Sequence, residues 1–249
     1  MAVFWKLVNN VIRDADILLE VLDSRLVDES RNLEIEEKVR RLEKTLIFVI
    51  NKCDLVDKAE LEKYKRILRP CIFMSAKEHL GTSFLRKEIM KNAPKGKDKF
   101  TVGVLGYPNT GKSSVINALK GRTSAPIAPI SGYTKGLQRV KISARMYLID
   151  TPGVLPCTEK GGMNETKHAM IAAKTFGNLK DPEGAAIGII REYAELIGRH
   201  YGVGVHEDAL DTLEAIALKK KKLAKGGIPD TYAAARVVLQ DWQKGKIGK

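Results

Sequence analysis

Four residues in this sequence have the spacing of a phosphate-binding loop: Gly106, Gly111, Lys112 and Ser113 fit the pattern Gly-x4-Gly-Lys-Ser. Glycines let backbone N–H groups point inward around phosphate oxygens, the lysine reaches the β- and γ-phosphates, and the serine hydroxyl ligates Mg²⁺. An apolar run, 101–105, precedes the loop and a helical pattern follows it. We therefore predict a nucleotide-phosphate site with a bound magnesium ion.

A second motif, Asn51-Lys52-Cys53-Asp54, carries groups that can distinguish one base from another. The Asp54 carboxylate can accept hydrogen bonds from N1–H and the exocyclic amine of guanine. Adenine presents an acceptor at N1 and would leave that carboxylate unpaired, which is a strong basis for discrimination. We expect Lys52 to lay its stem over the base and Asn51 to tie this loop to the phosphate loop.

The tripeptide Ser75-Ala76-Lys77 is common in proteins, but it begins 21 residues after Asp54 and follows another apolar run. This position indicates a second base-contacting loop, in which the Ala76 N–H can bond guanine O6. The predicted nucleotide-binding residues are Asn51, Lys52, Asp54, Ser75, Ala76, Lys77, Asn109, Thr110, Gly111, Lys112, Ser113 and Ser114.

The γ-phosphate and the metal ion require further groups. In Asp150-Thr-Pro-Gly153, which follows an apolar strand end, Asp150 can hold Mg²⁺ through water and the Gly153 N–H can sense the γ-phosphate. Thr134 is the candidate for the switch threonine that closes over Mg²⁺, with Thr123 as a weaker competitor. The predicted magnesium ligands are Ser113, Thr134 and, through water, Asp150.

The motifs occur in an unusual order, because the two base-reading motifs precede the phosphate loop and 150–153 comes last. In this order the sequence resembles the circularly permuted GTPases of the YlqF/YawG type, which are associated with ribosome assembly. Segments 16–25 and 230–247 are similar to the opening strand and the C-terminal ending of that family, so the resemblance covers nearly the whole chain. It implies a GTP-binding and GTP-hydrolysing switch that acts on the large ribosomal subunit, with hydrolysis coupled to release from the pre-ribosome.

Two residues bear on turnover. Val154 stands where many GTPases place a water-orienting glutamine, and an aliphatic side chain cannot orient water by hydrogen bonding. The resemblance therefore implies hydrolysis that is slow alone and stimulated by the ribosomal particle. It also implies that Asn109 helps to bind K⁺, which would stabilise transition-state charge; the alternative is a loop asparagine that bonds its own backbone. The predicted catalytic residues are Lys112, Thr134, Gly153 and Asn109.

Bacterial YlqF-type proteins carry an N-terminal Trp-Phe-Pro-Gly-His segment whose histidine has been proposed to assist catalysis. This chain has Phe4-Trp-Lys-Leu-Val8 and no histidine before His79. That role is therefore not carried over, and we interpret His79 and His168 as surface residues rather than catalysts.

Alternating strands and helices must position these motifs. Apolar runs predict strands at 17–22, 45–50, 71–74, 101–105, 137–142 and 146–149, and helical spacing predicts helices at 32–44, 58–68, 82–92 and 112–119. Continuous apolar runs are typical of parallel strands covered on both faces. The predicted fold is α/β, a circularly permuted P-loop GTPase with a doubly wound, mostly parallel sheet. The polar stretch 94–99 would connect its two permuted halves, and 121–136 would form a loop.

From about residue 181 only helical patterns remain. Asp181-Pro182 is a good N-cap followed by proline at the first helical position. Apolar residues then recur with helical spacing in 189–197, 210–216 and 233–242. We predict a circularly permuted GTPase domain at 1–176 and a small all-helical C-terminal domain at 177–249 that binds RNA or the ribosome.

The net charge of +13 is unevenly distributed. Residues 1–80 carry 15 basic and 15 acidic side chains, whereas 81–145 carry 13 basic side chains against Glu88 and Asp98, a net +11. A magnesium–GTP complex needs far less positive charge than this, so a second polyanion, namely RNA, is the better explanation. The run Lys219–Lys222 is either part of such a surface or a solvated helix face.

The remaining composition limits the class of protein. No apolar run approaches the roughly 18 residues that a membrane span needs, and the N-terminal residues do not form a secretory signal. Three cysteines lack metal-ligand spacing, which favours a reducing cytosol. We therefore expect a cytoplasmic monomer whose partners are guanine nucleotide and ribosomal RNA or a pre-ribosomal large subunit, with GTP or GDP, Mg²⁺ and K⁺ as cofactors and no membrane contact.

The sequence is also compatible with a second class of function. The chain could be an RNA-binding scaffold that uses GTP as a structural ligand with negligible turnover. Val154 and the missing N-terminal histidine favour this alternative, and measured hydrolysis with ribosomal particles and K⁺ distinguishes the two.

Overall fold

The computed structural model describes residues 2–121, 138–150 and 181–248. The chain divides into two compact units, Met1–Pro156 and Cys157–Lys249. The predicted domain boundary at 176/177 lies outside the described residues and stays a prediction.

The first unit is built on a six-stranded sheet with the order β3-β2-β1-β4-β6-β5. Its strands are β1 (Ile17–Asp23), β2 (Thr45–Asn51), β3 (Cys71–Phe73), β4 (Phe100–Leu105), β5 (Gln138–Lys141) and β6 (Met146–Asp150). Neighbouring strands are parallel except for β5 and β6, which are antiparallel. All residues of β1 and β4 are buried, as their continuous apolar runs predict.

The helices of this unit cover the sheet and connect its strands. They are α1 (Ala2–Asp14), α2 (Leu33–Arg41), α3 (Lys58–Glu62), α4 (Tyr64–Ile67), α5 (Thr82–Lys91) and α6 (Lys112–Lys120). The main apolar core joins residues of β1, β2, β4 and β6 to Leu85 and Ile89 of α5 and to Val115 and Leu119 of α6.

The order of the strands in space explains how a permuted chain forms an ordinary doubly wound sheet. From β1 the chain adds β2 and β3 on one side, and it then returns to place β4 on the other side of β1. The strand order therefore reverses between β1 and β4, and ligands of open α/β sheets bind at the carboxyl ends of strands at such a point. The predicted α/β, mostly parallel, doubly wound fold is confirmed.

Asp16 fixes the segment that connects the two permuted halves, between α5 and β4. Its carboxylate accepts a hydrogen bond from the Thr101 N–H at 2.9 Å and forms an ion pair with Lys97 Nζ at 2.5 Å. Arg145, in the turn between β5 and β6, donates to the carbonyl oxygens of Lys97 and Asp98 at 3.0 and 3.3 Å. The connector is thus bonded to the amino-terminal end of the sheet.

Two sequence-based expectations for this unit were incomplete. The N-terminal segment is a helix, α1, in which Trp5, Val8, Val11 and Ile12 are buried at helical spacing. The sequence analysis predicts no helix for this segment. The single helix predicted at 58–68 is instead two short helices, α3 and α4, separated at Lys63.

The second unit is helical in the part that the structure describes: α7 (Pro182–Glu192), α8 (Ala194–Tyr201), α9 (Ala209–Lys219) and α10 (Thr231–Gln243). Asp181 caps α7 by accepting from the Gly184 N–H at 2.9 Å, and Pro182 occupies the first turn as predicted. None of the described helices has the length and apolar character that crossing a membrane requires.

Polar contacts to the buried Asp241 fix α8 against the end of α10. Tyr201 Oη donates to Asp241 Oδ2 at 3.1 Å, and Lys246 Nζ pairs with Asp241 Oδ1 at 2.7 Å. Trp242, which is fully buried, packs against the Tyr193 ring with 4.7 Å between ring centroids. These contacts give the helical unit a core of its own.

Candidate functional site

The predicted motifs converge at the carboxyl ends of β1, β2 and β4. Asp23 and Asn51 end β1 and β2 and are register partners, so the segments that follow these strands begin side by side. The phosphate loop follows β4, which pairs with β1 on its other side. The predicted phosphate and base sites therefore flank the point at which the strand order reverses.

The phosphate loop has the backbone that its glycines permit. Gly106 has φ +139°, and a Cβ there would lie 2.5 Å from the Val21 carbonyl oxygen. Gly111 has φ +98°, and a Cβ there would collide with the Asn51 amide nitrogen. Asn109 also has positive φ, +60°, a conformation that asparagine tolerates better than most residues. The loop thus requires glycine at both positions that the pattern specifies.

The residues that open α6 are arranged for an anionic ligand. Gly111 caps this helix without a side-chain hydrogen bond, and N–H groups in a first helical turn have no acceptor within the helix. Together with the helix dipole they attract phosphate groups. Ser113 and Ser114 are exposed on this turn.

Lys112 is buried and its Nζ donates to the Tyr107 carbonyl oxygen at 2.7 Å. Thr110 is also buried, with its hydroxyl donating to the same carbonyl at 3.0 Å. The lysine therefore lies folded across its own loop. An ammonium group placed there can exchange a backbone acceptor for phosphate oxygens.

Asn51 joins the phosphate loop to both base-reading loops. Its Nδ2 donates to the Thr110 carbonyl oxygen at 2.9 Å, and its Oδ1 accepts from the Ala76 N–H at 3.1 Å. The predicted link between the Asn51 loop and the phosphate loop is therefore present. The contact with Ala76 was not predicted, and it engages the N–H that we expected to bond guanine O6, so that role requires the N–H to be shared.

Asp54 presents an acceptor that the protein itself does not use. Its Oδ1 is buried and has no hydrogen-bond partner among the residues that the structure describes. Buried polar atoms in proteins almost always have a partner, so an exception calls for an explanation. A carboxylate oxygen beside the ordered Asn51 loop is what the guanine N1–H and amine would need.

The second base-reading loop is held by local hydrogen bonds. Ser75 is buried, and its hydroxyl accepts from the Glu78 N–H at 3.1 Å. Ser75 also pairs with Leu80 through two backbone hydrogen bonds. Lys77 is exposed at the turn of this loop, and His79 is exposed as well. The interpretation of His79 as a surface residue agrees with this placement.

A charge cluster at the end of β1 was missed by the sequence analysis. Asp23 Oδ2 accepts from Lys52 Nζ at 2.7 Å and from Arg25 Nη2 at 2.9 Å. Ser24 Oγ donates to the Lys52 carbonyl oxygen at 2.6 Å. For this segment the sequence predicts a strand at 17–22 and a similarity to the family's opening strand, but nothing in the sequence places Asp23 beside Lys52.

The residues predicted to close over the γ-phosphate fall outside the described part of the chain. Thr134, Gly153 and Val154 lie in the ranges 122–137 and 151–180, as do Thr123 and His168. Asp150 is the last residue of β6, and its backbone lies next to Val104 of β4, two residues before the phosphate loop. The contribution of Asp150 to a magnesium site shared with Ser113 stays a prediction.

The comparisons with known proteins agree with the motif order. Residues 101–204 match the family model described as 50S ribosome-binding GTPase. An uncharacterized GTP-binding protein of Methanocaldococcus jannaschii is 36% identical over 248 residues, which are 97% of this chain and 65% of the relative. Nucleolar GTP-binding protein 2 of Cryptococcus neoformans var. grubii is 35% identical over 98% of this chain and 37% of its own length. GTPase grn1 of Schizosaccharomyces pombe is 32% identical over 95% of this chain and 59% of its own length.

The chain thus spans between about a third and two thirds of the length of these relatives. Among solved structures, GNP-bound YlqF from T. maritima has a TM-score of 0.66 at 23% identity and covers 98% of this chain and 94% of its own. GDP-bound YlqF gives a TM-score of 0.67 at 22% identity over 97% of this chain and 96% of its own. At these identities the two structures establish likeness of fold.

Proposed function

Because this chain is a circularly permuted GTPase of the YlqF/YawG type, we propose that it is a Mg²⁺-dependent GTP switch of ribosome assembly. It binds guanine nucleotide at the carboxyl ends of β1, β2 and β4 and hydrolyses GTP. It binds a pre-ribosomal large subunit and leaves that particle upon hydrolysis.

The unpartnered Asp54 Oδ1 is the observation that carries the guanine assignment. Guanine supplies two donors to a carboxylate, N1–H and the exocyclic amine, whereas adenine would face it with the lone pair of N1. Leaving a buried carboxylate oxygen without a donor is expensive, so this atom favours guanine over adenine by a large factor.

The nucleotide test uses Asp54→Asn. An asparagine can still accept from N1–H, but its Nδ2 repels the guanine amine and suits the C2 carbonyl of xanthine. We expect GDP affinity to fall roughly a hundredfold or more and XDP affinity to rise above it. Asp57→Asn, three residues away and exposed, is the control and should leave both affinities unchanged. Equal binding of ADP and GDP by the wild type would refute guanine recognition.

Hydrolysis is assigned to the loop and to the ions that its residues can hold. Lys112 moves from the Tyr107 carbonyl to the β- and γ-phosphates, and the first turn of α6 binds phosphate oxygens. Ser113, Thr134 and, through water, Asp150 would hold Mg²⁺, which would supply positive charge beside the phosphates. The Asn109 side chain is proposed as a ligand of K⁺ beside them.

Val154 supports a requirement for a partner, because no hydrogen-bonding side chain stands at the position after Gly153. The large subunit is the proposed partner, as the relatives include a nucleolar GTP-binding protein and the matching family model is named for 50S binding. Segment 150–154 leads to the helical unit within about thirty residues, so loss of the γ-phosphate can act on that unit through a short stretch of chain.

The connector supports contact with RNA. Five exposed basic side chains, here called the connector patch, lie on it and on the neighbouring β5–β6 hairpin: Lys95, Lys97, Lys99, Lys141 and Arg145. Asp16 and Asp98 are the adjacent acids, which leaves a net charge of +3. Because Lys99 and Arg145 precede the first residues of β4 and β6, the patch lies at the opposite end of the sheet from the nucleotide loops. Phosphodiester groups can bind there without competing with GTP.

GTP hydrolysis in KCl and in NaCl, each with and without large subunits, tests the whole proposal. We expect strong stimulation by the large subunit, larger in KCl. GDP binding without turnover in all four mixtures would instead establish the scaffold alternative, in which the nucleotide is a structural ligand.

A further inference from the structure

Asp23, Arg25 and Lys52 form a buried charge cluster that the proposed reaction does not yet use. The Asp23 side chain is 5% exposed, that of Arg25 2% and that of Lys52 15%. Asp23 Oδ1 accepts from the Arg25 Nε at 3.0 Å and from the Arg25 backbone N–H at 3.1 Å, while Oδ2 accepts from Arg25 Nη2 and Lys52 Nζ. Both carboxylate oxygens are therefore fully engaged with cations and an N–H.

The charge state of the cluster is fixed by its own members. Burial alone would raise the pKa of Asp23, but the charges and hydrogen bonds of Arg25 and Lys52 outweigh it and hold that pKa far below its usual range. Burial lowers the pKa of Lys52, and the Asp23 carboxylate opposes this change. An ionised Asp23 thus keeps the Lys52 ammonium in its position.

Lys52 is held at both ends. Its ammonium is bound by Asp23 Oδ2, and its carbonyl oxygen accepts from Ser24 Oγ at 2.6 Å. Its backbone has φ +61° and ψ +31°, a left-handed conformation that a lysine adopts rarely and that needs support from neighbouring groups. Both supports come from the end of β1: Asp23 is its last residue and Ser24 follows it.

We propose that Asp23 is a positioning residue for guanine recognition. With Ser24, it holds Lys52, and through Lys52 the Asp54 two residues later, in the base-reading arrangement before nucleotide binds. This inference rests on the proposed guanine site. Asp23 contacts no part of the base in this role and acts through the loop that does.

The geometry explains why this position is suited to the task. Asp23 and Asn51 are register partners at the ends of β1 and β2, so the base-reading loop starts beside the carboxylate. Asn51 fixes one side of that loop through Thr110 and Ala76, and the Asp23 cluster fixes the next residue, Lys52. A loop fixed at successive residues loses little conformational freedom when the base enters, which preserves affinity.

A cluster that served only the stability of the fold would behave differently. Its loss would lower the melting temperature and would reduce the affinity for every nucleotide by a similar factor. A positioning role affects the interactions of the base with Asp54 in particular. The ratio of the GDP and IDP affinities isolates these interactions, because inosine lacks the exocyclic amine that Asp54 accepts from and is otherwise identical to guanosine.

The test compares Asp23→Asn with wild type in competition binding of GDP and IDP against a fluorescent GDP. We expect the GDP affinity to fall roughly tenfold to a hundredfold, as loss of a charged hydrogen-bond partner predicts, and the preference for GDP over IDP to shrink about fivefold or more. Asp28→Asn, in the same segment but with an exposed carboxylate, is the matched control and should retain the preference.

Two further variants make the result decisive. In a Lys52→Met background, Asp23→Asn should no longer change the GDP:IDP ratio, because the carboxylate acts through Lys52; a persisting change would overturn the proposal. Ser24→Ala removes only a neutral hydroxyl, so it remains informative if Asp23→Asn does not fold, and it should shift the ratio in the same direction by a smaller factor. If both Ser24→Ala and Asp23→Asn lower the melting temperature but leave the GDP:IDP affinity ratio unchanged, the inference about Asp23 is overturned and the proposed function is not. Absence of GDP binding by the wild type would instead overturn the proposed function.

Discussion

The Asn51 side chain donates to the Thr110 backbone carbonyl at 2.9 Å across 59 residues of sequence. This hydrogen bond connects the base-reading half of the chain, which comes first, with the phosphate loop, which comes later. Because the same side chain accepts from the Ala76 N–H, one amide group holds three loops together. A permuted chain thus reconstructs a site whose parts lie far apart in sequence.

Gly111→Ala should abolish this connection. A Cβ there would collide with the Asn51 amide nitrogen, and φ +98° is unfavourable for alanine. We expect GDP affinity to fall at least about a hundredfold, measured by titration calorimetry. Gly96→Ala introduces the same strain at φ +76° with nothing within 4 Å of the new Cβ, so it should leave affinity intact. Equal losses in both variants would show that backbone strain, and not the Asn51 contact, is responsible.

Lys112→Met should suppress GTP hydrolysis. The buried ammonium is the group that can move from the Tyr107 carbonyl to the β- and γ-phosphates. We expect the single-turnover rate with large subunits to fall roughly a hundredfold to a thousandfold, the range for loss of one transition-state charge contact. Lys87→Met, exposed on α5, is the control. Full activity in Lys112→Met would contradict the assignment of this lysine.

Reversing charges on the connector patch should weaken RNA binding without altering nucleotide binding. For Lys97→Glu, Lys99→Glu and Arg145→Glu combined, we expect the slope of log affinity against log salt to fall by about 2 to 3, measured by filter binding to ribosomal RNA. The matched control reverses three exposed charges on α3, α4 and the residue between them: Lys58, Lys63 and Arg66. An equal change in the control would mean that net charge alone accounts for binding.

Glu20 should make the stability of the first unit depend on pH. It is fully buried in β1, its Oε1 accepts from the Asn32 N–H at 2.7 Å, and burial, with a further contribution from Glu36, raises its pKa to about 8. The folded state then keeps a proton that the unfolded state loses above its ordinary pKa of 4.5. The contribution of this proton to the free energy of unfolding is complete below pH 4.5. It is lost as the pH rises towards about 8, by up to about 1.4 kcal/mol per pH unit. Urea unfolding at several pH values should show this slope in the wild type and a flatter one in Glu20→Gln.

Tyr201→Phe should destabilise the helical unit. Its hydroxyl donates to the buried Asp241 carboxylate at 3.1 Å, and without it the Oδ2 acceptor loses its phenolic partner. We expect the free energy of unfolding to fall by about 1 to 3 kcal/mol, measured by urea denaturation. Tyr232→Phe, at a half-exposed position, should change it by less than about 0.5 kcal/mol.

The sequence was sufficient for the fold and for the resemblance to circularly permuted GTPases because both depend on local signals. Continuous apolar runs predicted the buried strands, and motif order predicted the permutation. The Asp23 cluster could not be predicted in this way, since Asp23 and Lys52 become neighbours only when β1 pairs with β2. The contact between Ala76 and Asn51 depends on loop geometry for the same reason. Helix α1 was recoverable, because Trp5, Val8, Val11 and Ile12 have helical spacing that we did not use.

The separation of Asn51 from Thr110 also has a consequence during synthesis. At 5–20 residues per second, a ribosome that has added Asn51 needs roughly 3 to 12 s to reach Thr110, 59 positions later. During that interval the base-reading loop exists without its phosphate loop, and the nascent chain cannot hold a nucleotide. In an unpermuted GTPase the phosphate loop is synthesised before the base-reading loops. In this chain the base-reading loops are synthesised first, and the site is completed only when the phosphate loop has been added.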